Sequence, residues 1–336
     1  MLHKSTFIIV TFALLLSACG APATLAPTVP APSLAAPTAL PTSAPTVAPT
    51  AEPTAALAGL TLTDGLGREV KMAGPAQRII SLAPSNTEIL FALGAGKQVV
   101  GRDEYADYPA EAKAVVSVGG MGKYNNEQMV ALKPDLVLMA EINNPEQVKA
   151  IEALGLTVYY LSNPKTLEDM YTNLEIVAKL TGHEQETAAL IVTLKQRVAA
   201  VDEKIKAAST KPVVFYELDS TDPAKPYTIG PGTFVDLLIT RAGGLDFSVA
   251  AGIKDAYPQV SAEQVVSTNP DMILLGDAQW GVSVESVGQR PGWEKLKAVT
   301  SKQVFAFDDN TVSRPGPRLV DGLEALAKLL HPELFK

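Results

Sequence analysis

Two carboxylates set in a repeated frame are the most chemically suggestive feature of this chain. Residues 127–138 read EQMVALKPDLVL and residues 263–274 read EQVVSTNPDMIL, so Glu127 and Glu263 recur at an offset of 136 with the same Gln-x-Val, Pro-Asp and apolar run. Paired glutamates can trade a proton as acid and base, or meet two cations of a partner. Each lies two residues after a capping type, Asn125 or Ser261, and so falls in the first turn of a helix that ends before Pro134 or Pro270. A carboxylate there favours the helix dipole by about 0.3–1 kcal/mol. That accounts for one glutamate but not for its repetition. On two separate halves of a molecule the pair is too far apart for acid–base work.

Other reactive constellations are missing. Gly94-Ala-Gly96 is followed by Lys97, Gln98 and Val99, so a dinucleotide fingerprint is not completed. Gly119-Gly-Met-Gly-Lys123 lacks the spacing and hydroxyl of a phosphate loop, and neither GxSxG nor HExxH occurs. One cysteine, Cys19, and three histidines, His3, His183 and His331, leave no disulfide framework and no clustered zinc site. A formal charge of −8 argues against a nucleic-acid partner. The expectation is a binding protein with no catalytic residues, no resident metal and no cofactor of its own.

The elements that must position these residues begin after a distinct N-terminus. Lys4 precedes an uncharged run from Thr6 to Leu16, and a helix from Ser5 to Ala18 would span roughly 21 Å, short of a ~30 Å hydrocarbon core. Residues 1–18 therefore read as a secretory signal. Leu16-Ser-Ala-Cys19-Gly20 resembles the lipobox of bacterial lipoproteins, which implies cleavage before Cys19, lipidation of its thiol and anchorage to the extracytoplasmic face of the cell membrane. Residues 21–58 hold nine prolines and one charge, Glu52, and could extend up to ~115 Å as a polyproline-like tether. The expected division is a signal at 1–18, a lipidated tether at 19–58, an N-terminal lobe at 59–183, a helix at 184–208 and a C-terminal lobe at 209–336.

Within the globular part, 47% apolar composition over the 336-residue chain supplies a core. Strands are predicted at 78–82, 99–101, 135–139, 157–161, 213–217, 271–275 and 304–307. Their continuous apolar runs suit parallel sheet covered on both faces, with helices between, hence an α/β fold. The segment 184–208 has no Gly or Pro and shows an apolar stripe of Ala188, Ile191, Val192, Leu194, Val198 and Val201 at helical spacing. A helix of ~36 Å there would join two lobes stiffly. Ser85 or Asn86 is the expected N-cap where the first strand gives way to a helix.

The segment Arg78-Ile-Ile-Ser-Leu-Ala-Pro-Ser-Asn-Thr-Glu88 resembles the opening of the Fe³⁺-siderophore/cobalamin family of ABC-transporter substrate-binding proteins. So do Tyr105-Ala-Asp-Tyr-Pro109, Asn126-Glu127 with Lys133-Pro-Asp135, Tyr257-Pro-Gln-Val-Ser-Ala-Glu263 and Arg314-Pro-Gly-Pro-Arg318, in order across residues 68–336. The resemblance implies two Rossmann-like α/β lobes joined by a rigid helix and a shallow cleft that closes little. It also implies a bulky metal chelate as cargo, carried as a monomer to a permease and its ATPase. In the family, matching glutamates pair with permease arginines, which assigns docking to Glu127 and Glu263.

Cleft candidates follow from the need for flat apolar surface with a few polar groups. They are Ser85, Asn86, Tyr105, Met121, Tyr124, Tyr257, Trp280, the run Asn310, Thr311, Val312, Ser313 and Arg314, and Arg318. Cobalamin binders of the family place tryptophans where this chain has Met121, Ala140 and Tyr257. Cobalamin or a related corrinoid is the expected cargo, with haem or a ferric siderophore as the alternative, since Arg314 and Arg318 could pair with anionic chelates. An enzyme or a purely structural lipoprotein is the remote alternative.

Overall fold

The computed structural model describes residues 59–336, so the signal at 1–18, Cys19 and the tether at 19–58 lie outside the described residues. The chain opens with an antiparallel hairpin, β1 (Leu60–Thr63) and β2 (Glu69–Met72). There follow β3 (Ile79–Ser81), α1 (Pro84–Ala92), β4 (Val99–Arg102), a small hairpin of β5 (Gly119–Gly120) and β6 (Lys123–Tyr124), α2 (Asn126–Ala131), β7 (Leu136–Ala140), α3 (Pro145–Glu152), β8 (Val158–Leu161) and α4 (Leu167–Thr181). Strands β4-β3-β7-β8 form one parallel sheet.

After α5 (Glu184–Ile205) the pattern returns. The second half runs β9 (Val213–Asp219), β10 (Tyr227–Thr228), α6 (Phe234–Arg241), β11 (Leu245–Asp246), α7 (Phe247–Ala250), α8 (Ala262–Thr268), β12 (Met272–Leu275), α9 (Val284–Val287), α10 (Lys297–Thr300), β13 (Val304–Ala306), α11 (Asn310–Ser313) and α12 (Leu319–Leu330). Here β11, β9, β12 and β13 are parallel in that order, and β10 pairs antiparallel with the far end of β9. The architecture is two α/β lobes with parallel sheets, joined by one long helix. Among the described residues no helix is long and apolar enough to cross a membrane.

The sequence repeat is a structural one. Asn125 caps α2 by accepting from the Gln128 backbone N–H at 3.0 Å, and Ser261 caps α8 by accepting from Gln264 at 3.2 Å. Just before each proline, Lys133 (φ 48°) and Asn269 (φ 52°) take the left-handed conformation and stop the helix. The following aspartates then tie each Pro-Asp turn to the first strand of its own sheet. Asp135 accepts from the N–H of Gln77 (2.7 Å) and Arg78 (2.9 Å), and Asp271 from that of Val213 (2.8 Å).

Strand residues alternate between two apolar layers. Ile79, Leu136, Leu138, Val214, Tyr216, Met272 and Leu274 belong to one cluster, which also takes in α4, α5, α6 and α12 and therefore runs through both lobes. Ile80, Val137 and Met139 face a second cluster confined to the first lobe, and Phe215, Ile273 and Leu275 a third confined to the second.

Helix α5 has 22 residues and ends at Ile205, three short of the expected end. Its buried stripe is Thr187, Ile191, Leu194, Val198 and Val201. Ala188 and Val192, placed on the stripe by spacing, are exposed instead, because each sits one residue round from it. Polar bonds add to the packing. Arg197 binds Asp321 and Glu324 of α12 at 2.6 and 2.8 Å, and Arg241 of α6 binds both oxygens of Asp202.

The expected caps Ser85 and Asn86 lie inside the first turn of α1. The cap is Ala83, in extended conformation, with Pro84 at the first helical position. Proline has no N–H to satisfy there and its fixed φ suits the first turn.

Candidate functional site

A cavity of about 560 Å³ opens between the lobes, walled by loops that follow strand carboxyl ends. The first lobe supplies Pro84 and Ser85 after β3, Glu104, Tyr105 and Asp107 after β4, and Ile142 after β7. The second supplies Gln279 and Trp280 after β12, and Asp309, Asn310, Ser313, Arg314 and Pro315 after β13. Carboxyl ends of parallel strands are where open α/β sheets present ligand crevices.

Each wall is pinned by its own bonds. Beyond β4, the Asp103 N–H donates to Ser81 O, the Glu104 N–H to Gly119 O at 2.8 Å, and the Tyr105 N–H to the Asp103 carboxylate at 2.9 Å. The Tyr105 ring is thereby held outward, 42% exposed. Beyond β7, Asn143 accepts from the Ala140 N–H and donates to Tyr124 Oη at 2.8 Å, so Ile142 at the tip of that turn is 71% exposed. Across the cavity, Asp277 accepts from the N–H and hydroxyl of Ser220 and fixes the 3₁₀ turn Gly276–Trp280, which leaves Trp280 76% exposed. Three apolar surfaces thus face open space, held by buried polar groups.

The floor is an ion cluster that crosses the lobes. Glu88 of α1, its side chain 2% exposed, accepts Arg318 through Nε at 2.7 Å and through Nη2, and Arg314 Nη1 at 2.9 Å. Arg314 Nη1 also donates to Asp107 at 2.7 Å, and its Nη2 reaches the Tyr105 carbonyl. The Arg318 guanidinium stacks over Tyr108 at 4.0 Å. Arg314 and Arg318 meet Glu88 and Asp107 here, and Asp308 stands 3.9 Å from Arg318 as a third anion.

Burial alone would raise the Asp107 carboxyl, but the hydrogen bond and charge of Arg314 outweigh it and hold it below the ordinary range. Beside Tyr105, the charge of Glu104 pushes the phenol above its ordinary value and disfavours the phenolate. Tyr124 is raised to about 12 by burial and by Asp103.

Of the residues singled out from sequence, Ser85, Tyr105, Trp280, Asn310, Ser313 and Arg314 line the cavity. The others stand elsewhere, for identifiable reasons. Asn86 is buried behind the wall, in a narrow crevice with Ala140 and Asn173. Tyr124 is a strut under the wall, its hydroxyl within reach of Leu82 O and Asp103. Met121, 77% exposed, rides the turn between β5 and β6 at φ 48°. That turn also needs Gly122, where φ is 75° and a Cβ would lie 1.9 Å from Gln147 Nε2. Tyr257 is exposed outside the cavity wall. Thr311 is spent on the Asp308 carbonyl at 2.7 Å, and Val312 is fully buried in the core, so it corrects to a packing residue. Arg318 is committed to Glu88.

Missed in the sequence were Glu104, Asp107, Ile142, Gln279 and Asp309. Glu104 and Asp107 flank Tyr105 closely enough for that residue to have signalled them. Glu127 and Glu263 are both exposed at the second position of α2 and α8. Helices that lead back into parallel strands start at the sheet's carboxyl edge, so both glutamates lie on the edge where the cleft opens. Among the described residues no cluster of His, Cys, Asp and Glu is arranged to hold a metal ion.

Comparison with known proteins agrees with this architecture. An ABC-transporter substrate-binding lipoprotein of Bacillus subtilis, YvrC, is 34% identical over 282 residues, 82% of this chain and 87% of the relative. The vitamin B12-binding protein of Vibrio cholerae is 32% identical over 260 residues, 76% of this chain and 90% of the relative. The periplasmic haem-binding protein RhuT of Roseiflexus sp. RS-1, in apo form, superposes with a TM-score of 0.69 at 29% identity over 77% of this chain and 99% of that structure. The family described as periplasmic binding protein matches residues 79–311. The chain therefore belongs to the periplasmic binding protein family, among the siderophore and cobalamin substrate-binding proteins of ABC transporters.

Proposed function

We propose that this protein is the lipid-anchored binding component of an importer for cobalamin or a related corrinoid. It takes the cargo into the interlobe cavity and delivers it, as a monomer, to a permease and its ATPase. Cys19 carries the anchor, and residues 20–58 give the lobes room to reach the permease. Glu127 and Glu263 dock on it. Two separated carboxylates on one edge fix orientation as well as attraction when they meet two cations.

The observation that carries the cargo reading is the chemistry of the cavity wall. Tyr105, Ile142 and Trp280 offer flat apolar surface to a macrocycle, while Ser85, Glu104, Gln279 and Asp309 offer acceptors to an amide fringe. The similarity to a vitamin B12-binding protein supports the same cargo. Haem is the second reading, favoured by the similarity to a haem-binding protein and by the outward phenol of Tyr105. Against it, the charge of Glu104 beside that phenol raises it and so disfavours the phenolate that iron would take.

Trp280 is one of two tryptophans, and the other, Trp293, is fully buried. Cyanocobalamin at micromolar concentration is expected to quench Trp280 fluorescence saturably, and Trp280→Phe to lose most of that signal. Saturable binding of haemin or a ferric siderophore with none of cyanocobalamin sinks the corrinoid reading. Reversing Glu127 or Glu263 to Lys is expected to abolish uptake in cells while leaving cyanocobalamin affinity intact. Affinity lost in step with uptake would assign these glutamates to folding.

A further inference from the structure

The cavity wall is lined by three carboxylates, Glu104, Asp107 and Asp309, and by a single cation, Arg314. That cation is already engaged. Its Nη1 is shared between Glu88 at 2.9 Å and Asp107 at 2.7 Å, and its Nη2 points to the Tyr105 carbonyl. The other nearby guanidinium, Arg318, is clamped by Glu88 and covered by the Tyr108 ring. Glu88 is buried, whereas Asp107 is half-exposed and stands at the cavity surface.

An incoming carboxylate or catecholate would meet in Arg314 a cation whose Nη1 donors are already taken by Glu88 and Asp107, and it would stand beside the Asp107 carboxylate in the same cavity. Like charges so close repel, and a guanidinium already paired gains little from exchanging one anion for another. A guest with no net charge and a fringe of amide N–H groups meets no such opposition. It gains acceptors from the same carboxylates.

We propose that Asp107 is a specificity-determining residue of the cleft: by occupying Arg314 it withholds that cation from anionic chelates and biases the cavity toward guests without net charge. This deepens, and rests on, the corrinoid reading above. The ionised state of Asp107 at neutral pH agrees with it. Glu104, which also lines the cavity but has no arginine partner, contributes only its field.

The test is a set of visible-absorption titrations with cyanocobalamin, haemin and a ferric tris-catecholate, on the wild type, Asp107→Asn, Asp107→Glu and Glu104→Gln. Asp107→Asn is expected to raise the affinity for the two anionic chelates relative to cyanocobalamin by about tenfold or more, a gain that shrinks with added salt. Asp107→Glu, which keeps the charge, should stay near the wild-type ratio, and Glu104→Gln should gain about threefold or less. A ratio for Asp107→Asn within about twofold of wild type overturns the proposal. So do equal gains from Asp107→Asn and Glu104→Gln, which would point to diffuse charge rather than to a released arginine. If the wild type already prefers haemin or the catecholate to cyanocobalamin, both the corrinoid reading and this one fail. Cyanocobalamin preference with an unmoved ratio sinks this one alone.

Discussion

A buried aspartate outside the cleft ties stability to pH. Asp246 is fully buried at the start of α7, where one oxygen accepts the Ser248 N–H at 3.0 Å and the other has no hydrogen-bond partner. Burial raises its carboxyl from 3.8 to about 7. A folded-state value above the unfolded one means that the native protein binds the extra proton between pH 4 and 7, so stability falls as pH rises through that window and levels off above it. Asp246→Asn keeps the acceptor and removes the charge. It is expected to be more stable than wild type at pH 8, on the order of 2 kcal/mol, and nearly equal at pH 4, by urea unfolding at the two pH values. An unchanged slope would show that this group does not titrate on unfolding.

At the same scale, sequence reading located the cleft better than its charge. Tyr105, Trp280 and Arg314 stand out by type, and all three line the cavity. Glu104, Asp107 and Asp309 look like ordinary surface acids until loop geometry turns them inward. Ile142 reads as one more apolar residue after a buried strand, and only the Asn143 turn makes it an exposed tip. Val312 erred in the opposite direction: it lies within a cleft-facing run, but its own side chain points into the core.

Elements were more legible than contacts. Continuous apolar runs marked every central strand because parallel strands are buried on both faces. The strands β5, β6, β10 and β11 left no trace, since two-residue strands carry no pattern. Helix α5 shows where periodicity helps and where it slips. Its stripe was visible, yet Thr187 rather than Ala188 faces inward, and Val192 faces out. Leu194 sits mid-stripe, buried in the core shared by both lobes. Leu194→Ala is expected to cost about 2–5 kcal/mol in urea unfolding, the range for a truncated core leucine. A loss below about 1 kcal/mol would mean that the helix is only peripheral to that core.

On the scale of the whole molecule, the internal duplication is the frame on which the cleft, the ion floor and the two exposed glutamates depend. The repeated Pro-Asp turn anchors each lobe to its own first strand, while the clamp of Arg314 and Arg318 on Glu88 ties one lobe to the other. One cluster of apolar side chains also runs without a break from the first sheet, through α5, to α12. Severing the chain between α4 and α5 would strip water-averse surface bare on both pieces, so neither half is expected to persist alone. Heating the intact protein should accordingly give one calorimetric transition, with matching calorimetric and van't Hoff enthalpies. Two resolved transitions would mean that the halves melt independently. The two-lobed body is thus expected to behave thermodynamically as a single object, its pattern written in two copies and its survival decided once.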